Sequence, residues 1–381
     1  MRPLLQLVHL SDVHFVAAGA NSLAQARRDA RRLLWSLPSR FLGQDFCDQG
    51  MAAHDPKALT AFKDALRKIK LADPTFWSNT CLLATGDLST LGDNASFNTA
   101  ISWVRAVSAQ VGVPLQPIII YGNHDAWKGE LPWFTPQADL DAHRSRRRSW
   151  HFANNWPLGP LYPTAASPNG LELHSLNTVL HGSISNTFAC GNVGADRYWE
   201  SAGLPDQSAD LVAKAMLHGR PVVRLVFTHH PVHVPDVHPR DASKTTPPMV
   251  KRLLNARHVA AATGVPHPAT GHPVVEVFLS GHTHYTFPEI NALPSSLAVQ
   301  LGADSPLGAR QLQLIAGTLS QLGLSSQANE HSFQLLRLFE DAGPQLILER
   351  IVYERNGRSG PFEPAAGADG TLCAERIRLA P

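Results

Sequence analysis

Asp12 and His14 stand two apart, as do His282 and His284, and on an extended segment residues two apart share a face. A carboxylate with an imidazole, or two imidazoles, makes a pair suited to a divalent transition metal. Asp87 follows Gly86 and is either a turn aspartate bonded to its own backbone or a carboxylate bridging two ions, which lets them sit roughly 3.5–4 Å apart. Gly122-Asn123-His124-Asp125 reads, taken alone, as a polar turn. As chemistry, it gives Asn123 an amide oxygen for a metal, places His124 toward the substrate, and lets Asp125 fix the tautomer of His124 through a hydrogen bond. His229-His230-Pro231 adds two more imidazoles, one of which can be a core or supporting histidine.

Counted as ligands, these residues make two sites. One metal takes Asp12, His14, Asp87 and His284; the other shares Asp87 and adds Asn123, His229 and His282. Mixed nitrogen and oxygen ligation without thiolates, leaving positions open for water, is the pattern of a catalytic centre holding Zn, Mn or Fe.

Each cluster ends an apolar run. Leu4–Leu10 stops at Ser11-Asp12, Cys81–Thr85 at Gly86-Asp87, Pro117–Tyr121 at Gly122, Val222–Thr228 at His229, and Val274–Ser280 at Gly281. Such runs suit buried strands. Between them Leu59, Phe62, Leu66 and Ile69, and again Phe97, Ile101, Val104 and Val111, recur at helical spacing. Alternating strand and helix predict a layered α/β fold, whose ligands bind beyond the carboxyl ends of the strands, where the clusters would converge. Beyond His284 the runs Leu312–Ala316, Phe333–Phe339 and Leu346–Tyr353 look like antiparallel strands of a second sheet layer.

A chain of 381 residues, 44% hydrophobic and 17% charged, has apolar material for a large core but exceeds the usual single domain. The expectation is one catalytic domain over 1–355, enlarged by insertions at about 16–56 and 126–200, and a Gly/Ala/Pro-rich C-terminal tail at 356–381. A net charge of +2 is too small to imply a polyanionic partner. Cys47, Cys81, Cys190 and Cys373 are widely spaced and read as free thiols. Met1 and Arg2 lead straight into Leu4–Leu10 without a leader-like apolar region, so a cytoplasmic location is expected.

The order D-x-H, G-D, G-N-H-D, H-H-P, G-H-T-H resembles the calcineurin-like metallophosphoesterase superfamily over residues 5–290. The resemblance implies a four-layer α-β-β-α sandwich with a dinuclear metal centre, and Asp12, His14, Asp87, Asn123, His282 and His284 match the family's ligand positions. The H-H-P motif leaves a choice; a related H-x-P motif in purple acid phosphatases uses its first His, which carries the role to His229 with His230 as the fallback. Gly86-Asp87-Leu88-Ser89, H-H-P, Ala316-Gly317-Thr318 and Ser332-Phe333 look most like the bacterial cyclic-nucleotide phosphodiesterase branch.

The activity so implied is hydrolysis of a phosphodiester or phosphomonoester by a metal-bridging hydroxide, with His124 and Asp125 as the catalytic pair. The expected partner is a small phosphate ester, a nucleotide among the candidates, with no membrane and no nucleic acid. Two alternatives stay open. A catalytically inert binding scaffold of the same fold should lack ligands, and a nuclease of the superfamily should carry more positive charge. Arg27, Arg28, Arg31 and Arg32, with Arg144, Arg146, Arg147 and Arg148, are solvated surface or a grip for a second phosphate. Trp127, Trp133, Trp150 and Trp156 pack the second insertion or stack a base.

Overall fold

The computed structural model of the protein describes residues 2–15, 54–90, 94–126, 170–179, 191–193, 206–217, 222–233, 237–238, 241–245, 253, 255–269, 271–283, 291–292, 311–320, 331–340, 346–355, 357, 359–366 and 374–379. The elements run β1 (Arg2–Leu10), α1 (Pro56–Ala72), α2 (Pro74–Trp77), β2 (Thr80–Ala84), α3 (Asn94–Val111), β3 (Ile118–Ile119), α4 (Asn123–Ala126), β4 (Gly170–Ser175), α5 (Gln207–Leu217) and β5 (Val222–Phe227). They continue with β6 (Val237–His238), β7 (Asp241–Thr245), α6 (Ala256–Thr263), β8 (Val277–Ser280), β9 (Asn291–Ala292), β10 (Leu312–Ile315), β11 (Ser332–Glu340), β12 (Leu346–Arg355), β13 (Phe362–Pro364) and β14 (Ala374–Leu379). The Arg-rich and Trp-rich stretches and His284 lie outside the described residues.

Continuous apolar runs become strands with both faces covered, because each sheet lies between a helix layer and the other sheet. In β1, Leu5 and Leu7 face the second sheet, while Val8 and Leu10 face α1 and α3. One sheet has the order β13-β12-β11-β1-β2-β3 with β14 also on β12; the other is β4-β5-β8-β10-β9. Leu7, Leu83 and Leu336 pack against Leu173, Leu225 and Leu279 between the sheets. Phe62, Leu66 and Val104 of α1 and α3 close the outside of the first sheet, and Leu211 and Val259 of α5 and α6 pack over Val226 and Phe278 of the second. The result is the α-β-β-α sandwich.

Helix α1 begins where its sequence dictates. The Asp55 carboxylate accepts a hydrogen bond from Lys57 N at 2.9 Å, and Pro56 occupies the first helical position, where its missing N–H costs nothing.

The late runs do not form one sheet of their own. Leu312–Ile315 pairs in parallel with β8 in the second sheet, whereas β11 and β12 join β1 antiparallel in the first. An apolar run records that a strand is buried, not which neighbour buries it. Part of the expected second insertion, Gly170–Ser175, is itself a strand parallel to β5. Within 356–381, β13 and β14 both pair with β12. Cys81 is a buried free thiol, pushed up to about 12 by that burial. Among the described residues no helix is long and apolar enough to cross a membrane.

Candidate metal centre

The motifs meet at the carboxyl ends of β1, β2 and β3 in one sheet and β5 and β8 in the other. At each end the backbone leaves the strand through an unusual conformation. Among the described residues four non-glycines have positive φ, namely Asp12 (53°), His14 (58°), Asp87 (50°) and His282 (72°), and all four are candidate ligands. Left-handed backbone at non-glycine residues costs free energy and persists only where surrounding contacts enforce it.

Those contacts run from motif to motif. Asp12 N donates to Gly86 O and His14 N to Asp87 O, both at 3.0 Å, and Gly281 N donates to His229 O at 3.1 Å. His282 N donates to Asp12 Oδ2 at 3.0 Å, and His124 N to Asp87 Oδ1 at 2.7 Å. Each carboxylate therefore spends one oxygen on the next motif's backbone and turns the other to the cluster. The glycines make this approach possible. A Cβ on Gly86, whose φ is 102°, would lie 2.5 Å from Gly122 N and 2.6 Å from His229 Nδ1. One on Gly281 would overlap the Ser11 hydroxyl and reach 2.8 Å from Asp12 Oδ2.

Three ligand atoms from three other motifs gather around His229. Its Nε2 lies 2.9 Å from Asn123 Oδ1, 3.3 Å from Asp87 Oδ2 and 3.2 Å from His282 Nδ1. His229 Nδ1 donates to the Thr85 carbonyl at 2.8 Å, so Nε2 is the nitrogen turned to the cluster. Beside this group, Asp12 Oδ1 lies 3.8 Å from His14 Nε2. Carboxylate oxygens of Asp12 and Asp87 and a His229 nitrogen all fall within 4.8 Å of one another. Buried acidic and imidazole donors packed this tightly fit divalent cations, which would replace the mutual contacts with coordination.

The electrostatics agree. Burial alone would raise the Asp87 carboxyl, but the His229 and His124 imidazoles hold it well below the usual range. Burial alone would lower His229, and the Asp87 carboxylate instead holds it up at about 9.

The structure brings together Asp12, His14, Asp87, Asn123, His124, His229 and His282; His284 is outside the described residues. Both H-H-P imidazoles meet other donors: His229 meets those of Asp87, Asn123 and His282, and ring nitrogens of His229, His230 and His282 also fall within 4.8 Å of one another. His230 has Nδ1 at 2.7 Å from Thr178 Oγ1, and its ring lies 4.3 Å from that of His282.

The expected bond between Asp125 and His124 is not made. Asp125 accepts from Gly122 N at 2.9 Å, Leu88 N at 3.2 Å, Ser89 N at 2.7 Å and Ser89 Oγ at 3.0 Å. Burial, and then the Asp87 charge, push its carboxyl up to about 6 against those donors. His124 and Asp125 are consecutive on the helical turn α4, where neighbours in sequence do not face each other. The partner of His124 Nδ1 is the Thr90 carbonyl at 3.1 Å. Carbonyl partners of this kind, from Thr85 and Thr90, carry no side-chain signature and were invisible in the sequence.

Two sheets flanked by helices, with imidazoles, carboxylates and an amide gathered at strand ends, define a four-layer α/β protein with a site able to hold metal ions. Residues 5–286 match the family described as calcineurin-like phosphoesterase, and the chain belongs to that family. Membership brings metal-dependent phosphoester hydrolysis as the general chemistry and divalent metal ions as cofactors. No curated protein matches the sequence. Among solved structures the chain is similar to a dimetal phosphatase from Danio rerio at 14% identity, covering 100% of this chain and 99% of that one, with a TM-score of 0.47. It is also similar to a sulfate thiohydrolase, SoxB, from Thermus thermophilus at 13% identity, covering 90% of this chain and 55% of that one, with a TM-score of 0.35.

Proposed function

We propose that this protein hydrolyses a small phosphodiester or phosphomonoester, a nucleotide among the candidate substrates, at two adjacent divalent metal ions. The convergence of Asp87 Oδ2, Asn123 Oδ1 and His282 Nδ1 on His229 Nε2, at 2.9–3.3 Å, carries the reading. Those residues would hold one ion; Asp12, His14, Asp87 and His284 would hold the other. When bound, such ions supply Lewis acidity at the phosphoryl group and activate water at neutral pH.

The chain's own residues supply the rest. Asp87 can bridge the positions because its Oδ1 is occupied by His124 N, leaving Oδ2 among the donors. His124, at 8% the most exposed of the described site residues, is the side chain that would meet the substrate. Its Nδ1 proton is held by the Thr90 carbonyl, so Nε2 is the atom that gives a proton to the leaving oxygen. The same carbonyl steadies the imidazole in its charged form. Asp125 orders the turn through backbone donors rather than acting on substrate.

The test combines metal analysis with a metal-supplemented screen across cyclic nucleotides, nucleoside diphosphate derivatives, glycerophosphodiesters and aryl phosphates. Turnover of at least one class with Mn, Fe or Zn is expected. Protein that stays inactive with all three would be the inert scaffold instead.

A further inference from the structure

The inner face of the first sheet is apolar along Leu7 of β1, Leu336 of β11 and Leu348 of β12, which all lie in the core between the sheets. Two residues further on in each strand toward the metal centre, or back along the antiparallel one, the same face carries His9, Gln334 and Arg350 instead. All three are buried, at 0%, 0% and 1% exposure. Polar and charged groups in this position are costly to desolvate, and leucine would serve the fold at least as well. Their presence needs a reason beyond packing.

They form a directed chain. Arg350 Nε donates to Gln334 Oε1 at 2.6 Å, and Gln334 Nε2 meets His9 Nδ1 at 3.3 Å. An amide nitrogen only donates, so His9 Nδ1 accepts and the ring proton is on Nε2. His9 Nε2 then donates to Thr85 Oγ1 at 2.9 Å. Burial, reinforced by Arg350 and opposed by Asp12, lowers the imidazole to about 3, so it stays neutral and this tautomer is kept.

Thr85 is where the chain reaches the metal centre. It is the last residue before Gly86 and Asp87, which both take positive φ, and its carbonyl receives the His229 Nδ1 proton. Its amide is tied to Leu10 O at 3.0 Å, and its hydroxyl is the point that His9 holds. We infer that His9 is a positioning residue: backed by Gln334 and Arg350, it fixes Thr85 so that Asp87 and the His229 Nε2 lone pair are aimed at one metal position. The inference rests on the metal-centre reading above. Groups that orient a ligand without touching the metal set affinity strongly, typically by about 10–100-fold.

The experiment is a Zn²⁺ and Mn²⁺ titration of the full chain by calorimetry, resolving the two equivalents, with thermal melting of the metal-free protein alongside. His9→Leu should weaken the equivalent that uses His229 by roughly 10–100-fold and the other less. His9→Gln, whose amide nitrogen can replace Nε2 as donor to Thr85 Oγ1, should recover most of the loss. Thr85→Val removes the same bond from the other side while keeping shape, and serves if His9→Leu does not fold. The double variant should be no worse than the worse single one. Wild-type affinities in His9→Leu or Thr85→Val would overturn the inference. So would equal weakening of both equivalents, tracking the metal-free melting point and not rescued by Gln, which would mean a merely structural role. Wild-type protein that takes up no metal would overturn the metal-centre reading itself, and this inference with it.

Discussion

Asp87 divides its carboxylate between architecture and chemistry, one oxygen taking the His124 amide and the other standing 3.3 Å from His229 Nε2. Asp87→Asn keeps the first contact and loses the charge that offsets two cations. Bound metal should fall from about two equivalents to about one, with turnover falling in parallel. Retention of both equivalents and full turnover would show that another group bridges. His124 is held differently, by a backbone carbonyl at Nδ1, which suits proton delivery from Nε2. Donation matters most for a poor leaving group, so His124→Ala should lose about 10²–10⁴ in rate on an alkyl ester and clearly less on a nitrophenyl ester. Metal content should stay unchanged. An equal loss on both esters would leave only charge stabilisation to this imidazole.

The strand ends were legible because apolar runs stopped at polar motifs, and the structure gathers those motifs at one edge of two sheets. Partner choice between strands was not legible. The runs at 312–316 and 333–339 look alike in sequence, yet one is parallel in the second sheet and the other antiparallel in the first, because both are covered on two faces. His9 was legible only as an exception inside the run Leu4–Leu10, a polar residue where the pattern asks for an apolar one. A similar exception sits on the second sheet, where Glu276 precedes β8. Its Oε2 accepts from Arg224 N at 2.7 Å, and burial, with Glu172 adding to it against Arg224, pushes the carboxyl up to about 8. The unfolded chain releases this proton near the ordinary value of 4.5, so between those values the folded state alone keeps it. The contribution to stability is full below about 4.5 and is lost as pH rises through about 8. Glu276→Gln, neutral at every pH, should flatten this decline and melt higher than wild type at pH 9. A melting curve for the variant with the wild-type slope would refute the assignment.

Across the whole molecule, the sequence marked the segment after residue 355 as a tail because Gly, Ala and Pro dominate it and no long apolar run survives. The composition misleads because short strands on a sheet edge need few apolar residues when a neighbour supplies the pairing. β14 runs antiparallel to Leu346–Ile351, and β13 to Tyr353–Arg355, so the two together cover the outer edge of β12. Phe362 is buried, its ring 5.3 Å from that of Phe333 and 6.5 Å from that of Phe62. Arg355 Nη1 meets the Asp55 carboxylate that caps α1, joining β12 to the helix layer. The segment thus closes the core on the side of the sheet away from the metal centre's β2 and β3, and protects an edge that would otherwise invite pairing with another chain. Truncation after Asn356 should therefore lower the melting temperature and cause aggregation, although it removes no candidate ligand. Phe362→Ala isolates the packing part and should cost about 3–5 kcal/mol while the strand pairing stays. Calorimetry and light scattering separate the two effects: the truncated chain should both melt lower and associate, the point variant only melt lower. A truncated chain as stable and as monodisperse as the full one would return the segment to the status of a tail.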